Sequence, residues 1–88
     1  MLSLFSNKAE FNGNLSRWQV GQVTDMRLMF HGATSFNGDL SSWDVGQVTD
    51  MSRMFERATS FNRQLGGKWS ASTASQTQMF AGSGGSIA

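Results

Sequence analysis

The chain has 88 residues, with seven Lys and Arg against six Asp and Glu, a formal net charge of +1, and no Cys, Pro or Tyr. A chain of this length forms one small domain with a thin core, and the lack of Cys excludes a disulfide framework and a thiolate zinc site. The scattered charges form no basic patch for nucleic acid, and no apolar run approaches the roughly 20 residues that cross a bilayer.

A sequence repeat with a period of 25 residues runs through the chain. Residues 36–51 align with residues 11–26, and residues 1–5 align with residues 26–30. A fixed period of this size is typical of folds in which each repeat packs on its neighbours. We therefore predict an α/β repeat solenoid of about three coils, each with a short parallel β-strand and a short helix. The landmarks of the repeat are Met29, Met54 and Met79; Phe11, Phe36 and Phe61; and Leu15, Leu40 and Leu65.

In chain order, the predicted elements belong to a single domain of residues 1–80. It starts with a partial coil at residues 1–5, predicted to be helical, and continues with coils at about 5–29, 30–54 and 55–79. Residues 81–88 (AGSGGSIA) have the composition of a flexible linker. We expect this tail to be mobile unless another part of the structure holds it.

Each coil is predicted to contain a strand around its tryptophan. In the second coil Trp43 and Val45 alternate with Asp44, which places the apolar side chains inward and the carboxylate outward. Trp18 occupies the matching place in the first coil, and an extra residue places Trp69 one position late in the third, so we expect all three tryptophans to be buried. The alternative, a stacking platform for sugars or bases, is less favoured.

A short helix is predicted after each strand. In the second coil Thr49 is a plausible N-cap, and Val48, Met51, Met54 and Phe55 fall on one face of about two helical turns. Stacking of successive coils then predicts ladders of like side chains. The asparagine ladder is predicted to face inward and to satisfy backbone groups of buried turns, with ordinary turn residues as the alternative. The two ladders comprise Phe5, Phe30, Phe55 and Phe80, and Asn12, Asn37 and Asn62.

Repeats of the form Met-Phe-x-Gly-Ala-x-x-Phe-Asn-x-x-Leu-Ser-x-Trp-x-Val-x-x-Val-Thr-x-Met resemble those of BspA-type leucine-rich-repeat surface proteins. The same repeat is known as a domain of unknown function in mycoplasma lipoproteins and marine algae. The resemblance covers residues 1–80 and is most specific over residues 11–61. It implies a leucine-rich-repeat-like fold, protein or matrix binding and a cell-surface location, with no catalytic residues. No export signal or lipid-anchor Cys is recognised, so we predict no compartment.

Residues with catalytic or metal-binding chemistry are few. His31 is the single histidine and has no nucleophile or ligand partner in the pattern, so we interpret it as a surface residue. Asp25 and Asp50 stack in register, which would allow a cation site, but their Val-Thr-Asp-Met context fits a helix start better. We predict no cofactor, no metal and no enzymatic activity.

Two surfaces are candidates for protein contact. The outward strand positions form a predicted sheet face, which repeat proteins commonly use for binding; a solvated face without a partner is the alternative. The N-terminal end is predicted to expose apolar side chains that a neighbour would cover. The sheet-face candidates are Arg17, Gln19, Ser42, Asp44, Lys68 and Ser70, and the end-face candidates are Leu2, Leu4 and Phe5.

The favoured hypothesis is a non-enzymatic interaction or structural subunit of a larger assembly that uses its end face. The alternative is a recognition module, or a fragment of a longer cell-surface repeat protein, that binds through the sheet face. An enzyme or metal protein is the least favoured class. Protein partners are expected in either favoured case, whereas nucleic acid, a membrane span and metal are not.

Overall fold

Backbone hydrogen bonds join each repeat to the next in the computed structural model, which describes residues 3–88. The amide of Met26 donates to the carbonyl of Asp50 at 3.0 Å, and the amide of Phe30 donates to the carbonyl of Met54 at 2.8 Å. The same bonds recur one repeat later, where the Phe55 amide donates to the next repeat at 2.9 Å. Residues at matching places in the sequence repeat therefore lie beside one another.

Regular secondary structure is confined to two short strands. Strand β1 comprises Gln64–Leu65 and strand β2 comprises Ser86–Ile87, and the two pair in parallel. Isolated parallel bridges join Asp25 to Asp50 and Asp50 to Ser75. The described part of the chain contains no helix. The prediction of an α/β solenoid with a strand and a helix in every coil is therefore wrong.

The segment predicted as a helix is a run of tight turns, because its amides point alternately in two directions. The Met29 amide donates within its own repeat to the carbonyl of Met26 at 3.3 Å. The amides of Leu28 and Phe30, by contrast, donate to carbonyls of the next repeat at 3.2 and 2.8 Å. In an α-helix every amide would bond four residues back within the same segment. Sharing the amides between two repeats replaces the helix by turns and links the repeats.

Left-handed residues interrupt the turn segment at two fixed places in every repeat. Leu28, with a φ of 61°, follows a helix-like turn, and a non-glycine residue adopts this conformation at a cost of about 1–2 kcal/mol. The left-handed residue itself donates an intercoil hydrogen bond, as the Leu28 amide does to the Ser52 carbonyl at 3.2 Å, and such bonds offset that cost. The first column comprises Ser3, Leu28, Arg53 and Gln78, and the second comprises Asn7, Gly32, Arg57 and Gly82.

Two glycines of the second column give a matched pair of variants. Gly32 and Gly82 have φ values of 70° and 73°. A Cβ on Gly32 would meet the side-chain oxygen of Asn7, which is exposed and can rotate away, and a Cβ on Gly82 would lie 3.6 Å from Arg57. We expect Gly32→Ala and Gly82→Ala each to cost about 1 kcal/mol through φ. Urea unfolding of both variants measures the two losses; a much larger loss at Gly32 would contradict a movable Asn7 side chain.

The core is built around two columns of phenylalanine rings. Phe30 and Phe55 stack with centroids 5.4 Å apart and parallel ring planes, and each packs on a ring of the second column at 4.2 Å. The predicted phenylalanine ladder is confirmed, and the structure adds a second ladder beside it. The first column comprises Phe5, Phe30, Phe55 and Phe80, and the second comprises Phe11, Phe36 and Phe61.

In the second repeat, residues 43–45 have the predicted pattern of buried and exposed side chains, although they do not form a strand. Trp43 and Val45 are buried and Asp44 is exposed, yet residues 43–45 belong to no sheet. Trp69 is also buried, but Trp18 is 41% exposed, so the prediction that all three tryptophans are buried is wrong for Trp18. In place of a strand ladder, side chains connect the repeats at this level.

The asparagine ladder forms, but it lies at the surface. Oδ1 of Asn12 accepts from the amide of Asn37 at 2.9 Å, and Oδ1 of Asn37 accepts from the amide of Asn62 at 2.9 Å. Asn12 and Asn62 are exposed and Asn37 is half-buried. The ladder therefore satisfies turn amides as predicted, although the inward orientation is wrong.

The C-terminal tail is held against the third repeat. The amides of Gly84 and Ala88 donate to the carbonyls of Phe61 and Leu65 at 3.0 and 2.9 Å, on either side of the β1–β2 pairing. Gly85 lies so close to the Phe61 ring that a Cβ would come within 2.5 Å of it. The tail, expected to be mobile unless held, is thus held: it packs on the third repeat, where a following repeat would otherwise lie.

Candidate interaction faces

The predicted sheet face exists as a lateral surface with no sheet beneath it. All six of its residues are exposed. Nζ of Lys68 lies 3.2 Å from a carboxylate oxygen of Asp44, so the structure brings these two together. The hydroxyls of Ser42 and Ser70 each donate to a backbone carbonyl at 2.9 Å, which commits them to the fold. The lateral surface comprises Arg17, Gln19, Ser42, Asp44, Lys68 and Ser70.

Aspartates close turns along the repeats, and these turns lower the pKa of each carboxyl. The backbone amide of Gly46, followed by the ammonium group of Lys68, holds the pKa of Asp44 below its ordinary value. The Ser41 backbone amide does the same to the pKa of Asp39, and Ser52 to that of Asp50, through its side chain first and its amide second.

Asp25 and Asp50 share an arginine. The Arg27 side chain, followed by its backbone amide, lowers the pKa of Asp25, and its guanidinium lies 2.9 Å from that carboxylate and 3.8 Å from the carboxylate of Asp50. The Asp50 turn therefore closes a loop, and the predicted helix start at this position is wrong. Within residues 3–88, no group of three or more His, Cys, Asp or Glu side chains is arranged to hold a metal ion.

These lowered pKa values predict a loss of stability in acid. A carboxyl whose folded pKa lies below its unfolded value, about 3.9 for Asp, stabilises the fold above that value, and this stabilisation disappears as the pH falls through the folded pKa. We therefore expect the melting temperature to decrease once the pH is lowered below about 4. Asn14 closes the same turn as Asp39 one repeat earlier, accepting from the Ser16 amide at 2.9 Å.

Asparagine should therefore preserve the aspartate turns while removing their titration. The matched variant combines Asp39→Asn, Asp44→Asn and Asp50→Asn, and its melting temperature should depend less on pH between 5 and about 2. Thermal unfolding across this range, followed by circular dichroism, measures the two slopes. Equal slopes in the variant and the parent chain would show that these carboxyls do not carry the acid sensitivity.

His31 lies in a cluster of polar side chains on the turn segment. Its Nε2 lies 3.1 Å from one oxygen of Glu56, and Nε of Arg53 lies 4.0 Å from the other. His31 is half-buried, so part of its side chain remains at the surface while Nε2 contacts the next repeat. The cluster joins His31 of one repeat to Glu56 of the next.

Apolar side chains are exposed at the N-terminal end of the stack. Leu4 is 46% exposed and Trp18 is 41% exposed, and these are the large apolar side chains that residues 3–88 expose most. Phe5 and Phe11 beside them are half-buried, with the Phe5 ring 5.6 Å from Trp18. We call Leu4, Phe5, Phe11 and Trp18 the N-terminal face. Leu2, the third predicted end-face residue, lies outside the described residues.

The three tryptophans, Trp18, Trp43 and Trp69, form a column, and at the N-terminal face the first of them lacks an acceptor for its indole N–H among the described residues. Nε1 of Trp43 donates to the carbonyl of Leu15 at 2.9 Å, and Nε1 of Trp69 donates to the carbonyl of Leu40 at 3.0 Å; both bonds are buried. Trp18 has no repeat before it in this sequence, and no acceptor for its indole N–H is found among the described residues. Sequence reasoning missed Trp18 although the repeat register contained this signal.

The C-terminal end of the stack differs from the N-terminal face because the tail covers part of it. The carbonyl of Leu65 matches those of Leu15 and Leu40, but it accepts from the amide of Ala88 at 2.9 Å. Ile87 and Phe80 pack on the core from this side. The tail therefore fills the place that an indole N–H of a following repeat would take.

A family model described as "Mycoplasma protein of unknown function, DUF285" matches residues 1–86. No curated protein and no solved structure matches the chain. Among the described residues, no helix is long and apolar enough to span a membrane.

Proposed function

This chain belongs to the DUF285 family of mycoplasma proteins, and we propose that it is a non-enzymatic structural or interaction subunit that contacts another protein through its N-terminal face. The observation that carries the proposal is the joint exposure of Leu4 and Trp18 beside the half-buried Phe5 and Phe11. Exposed apolar side chains that cluster on one face of a small domain are typical of a contact surface.

The stacked core supports the same proposal. The Phe5 ring stacks on Phe30 at 5.4 Å, as Phe30 does on Phe55, but it also forms part of the N-terminal face. A protein that covers this face would bury the outer ring and the indole together. Burial of apolar surface contributes about 25 cal/mol per Å², so this end has more to gain from contact than the charged lateral surface.

A second candidate function is recognition through the lateral surface, as a module of a cell-surface repeat protein. A depression of about 620 Å³ supports it, since Gln19, Ser42 and Asp44 line it together with Trp18. The narrower relation to BspA-type surface proteins is part of this second proposal and rests on the repeat motif. The helices of a leucine-rich repeat are absent from the described residues.

Photo-cross-linking in the native host separates the two functions. A photo-reactive leucine analogue at Leu4 reports contacts of the N-terminal face, and a photo-reactive residue at Asp44 reports contacts of the lateral surface. The proposed function predicts a defined protein adduct from position 4 that disappears in a Trp18→Ser variant. An adduct from position 44 alone would favour the recognition module, and the lack of adducts from both positions would contradict contact by either surface.

A further inference from the structure

We propose that the partner of the N-terminal face is another coil of this same 25-residue repeat, whose leucine carbonyl accepts the indole N–H of Trp18. This inference rests on the proposed function, because it specifies the partner of the same face. The partner is thus a peptide segment of defined chemistry, not a general apolar surface. Its leucine would lie where Leu15 lies relative to Trp43.

The geometry of the tryptophan column carries the inference. Two of its three members make the same buried bond to a leucine carbonyl of the preceding repeat, at 2.9 and 3.0 Å. Trp18 stands in the same register, but its indole is exposed. Because a buried indole N–H requires an acceptor, a surface that covered Trp18 without a carbonyl at this point would leave the donor unsatisfied.

The backbone of the N-terminal face presents the same pattern a second time. The carbonyls of Met29 and His31 accept from the amides of Phe5 and Asn7 at 2.9 and 2.6 Å. Leu4 occupies the position of Met29 one repeat earlier, and no described residue donates to its carbonyl. A coil of the repeat would supply amides at this spacing together with a phenylalanine ring above Phe5. Backbone, indole and ring thus favour the same occupant.

The tail argues against the C-terminal end of a second intact copy as that occupant. In an intact copy the carbonyl of Leu65 already accepts from Ala88, and Ser86–Ile87 lies along Gln64–Leu65. Stacking of intact copies head to tail would therefore require removal of the tail. The occupant is instead a coil with an uncovered C-terminal side, and the tail restricts growth of the stack to the N-terminal face.

A lengthened chain provides a direct test. A copy of residues 26–50 joined before Met1 preserves the repeat register, since Asp50 precedes Met51 in the natural chain. It also places a leucine 28 residues before Trp18, the spacing of the Leu15–Trp43 pair. A copy of residues 1–25 at the same place gives a second variant with the same register, should the first fail to fold. A scrambled 25-residue extension is the matched control.

The readout is hydrogen exchange of the three indole N–H groups, measured by NMR. We expect the register-preserving extension to slow exchange at Trp18 by at least about 100-fold and to raise the melting temperature, and the scrambled extension to change neither. Exchange at Trp18 that stays as fast as in the parent chain, whether or not the melting temperature rises, would overturn the inference. The contact proposed for the N-terminal face is judged separately by cross-linking at Leu4, which does not depend on the extension.

Discussion

Replacing Trp43 by Ala is expected to destabilise the fold by about 3–5 kcal/mol. Its side chain is 1% exposed and lies between two repeats, so its removal leaves a cavity in the centre of the stack. The change also removes the buried bond from Nε1 to the Leu15 carbonyl. A domain of this size has a total stability of roughly 5–13 kcal/mol, so the variant would lose a large part of it and melt at a clearly lower temperature than the parent chain.

Trp18→Ala is the matched control for this variant, because the same residue type stands at the same place of the repeat. Trp18 is 41% exposed and its indole N–H is not bonded to any described residue, so we expect a loss of only about 1 kcal/mol. Urea unfolding monitored by circular dichroism measures both variants. Similar losses at the two positions would contradict the difference in burial between Trp18 and Trp43.

Phe55→Ala is the second variant with a large expected effect. The ring lies in the middle of the first phenylalanine column, 5.4 Å from Phe30 and from Phe80, and 4.2 Å from Phe61 in the second column. It is fully buried. We expect a loss of about 3–5 kcal/mol, since the contacts with these three rings and with the Trp69 ring at 6.5 Å disappear and leave a cavity.

The control for the column is Phe80→Ala, at its C-terminal end. Phe80 is half-buried and contacts Phe55 and Phe61 from one side. A half-buried ring contributes roughly 1–2 kcal/mol, so this variant should remain folded. Thermal unfolding of both variants gives the comparison, and a greater loss at Phe80 than at Phe55 would contradict a ring column in which Phe55 is interior and Phe80 terminal.

From the sequence, the contacts between repeats can be predicted better than the secondary structure can. The 25-residue register correctly places Phe30 beside Phe55 and Asn12 beside Asn37, because like positions of adjacent repeats must meet when repeats stack. It does not reveal how the backbone connects them. The direction of each amide depends on the neighbouring repeat, and no local pattern of apolar residues encodes that choice.

The helix prediction was wrong for a specific reason. Met26, Met29, Phe30 and Ala33 are all buried, a spacing of three and four residues that an amphipathic helix also produces. Consecutive turns closed by bonds between residues three apart bury side chains at the same spacing, as the bond from the Met29 amide to the Met26 carbonyl illustrates. The left-handed φ of Leu28 could not be foreseen, because leucine rarely adopts it.

The candidate site was predicted in part. Leu4 and Phe5 were assigned to an end face from the apolar composition of the first residues, and the structure shows Leu4 exposed and Phe5 half-buried. Trp18 was assigned to the core by analogy with Trp43, although burial of this position requires a repeat in front of it. The tail is predicted to be mobile unless held, and the structure holds it, with Gly85 as the residue that permits close packing on Phe61.

The most direct test of the account is hydrogen exchange of the three indole N–H groups in the unmodified chain. The structure places two of them in buried bonds between repeats and the third on an open face. We predict slow exchange at Trp43 and Trp69, near the rate of global unfolding, and exchange at Trp18 faster by at least about 100-fold. Slow exchange at all three would contradict the open N-terminal face, and fast exchange at Trp43 would contradict the stacked repeats.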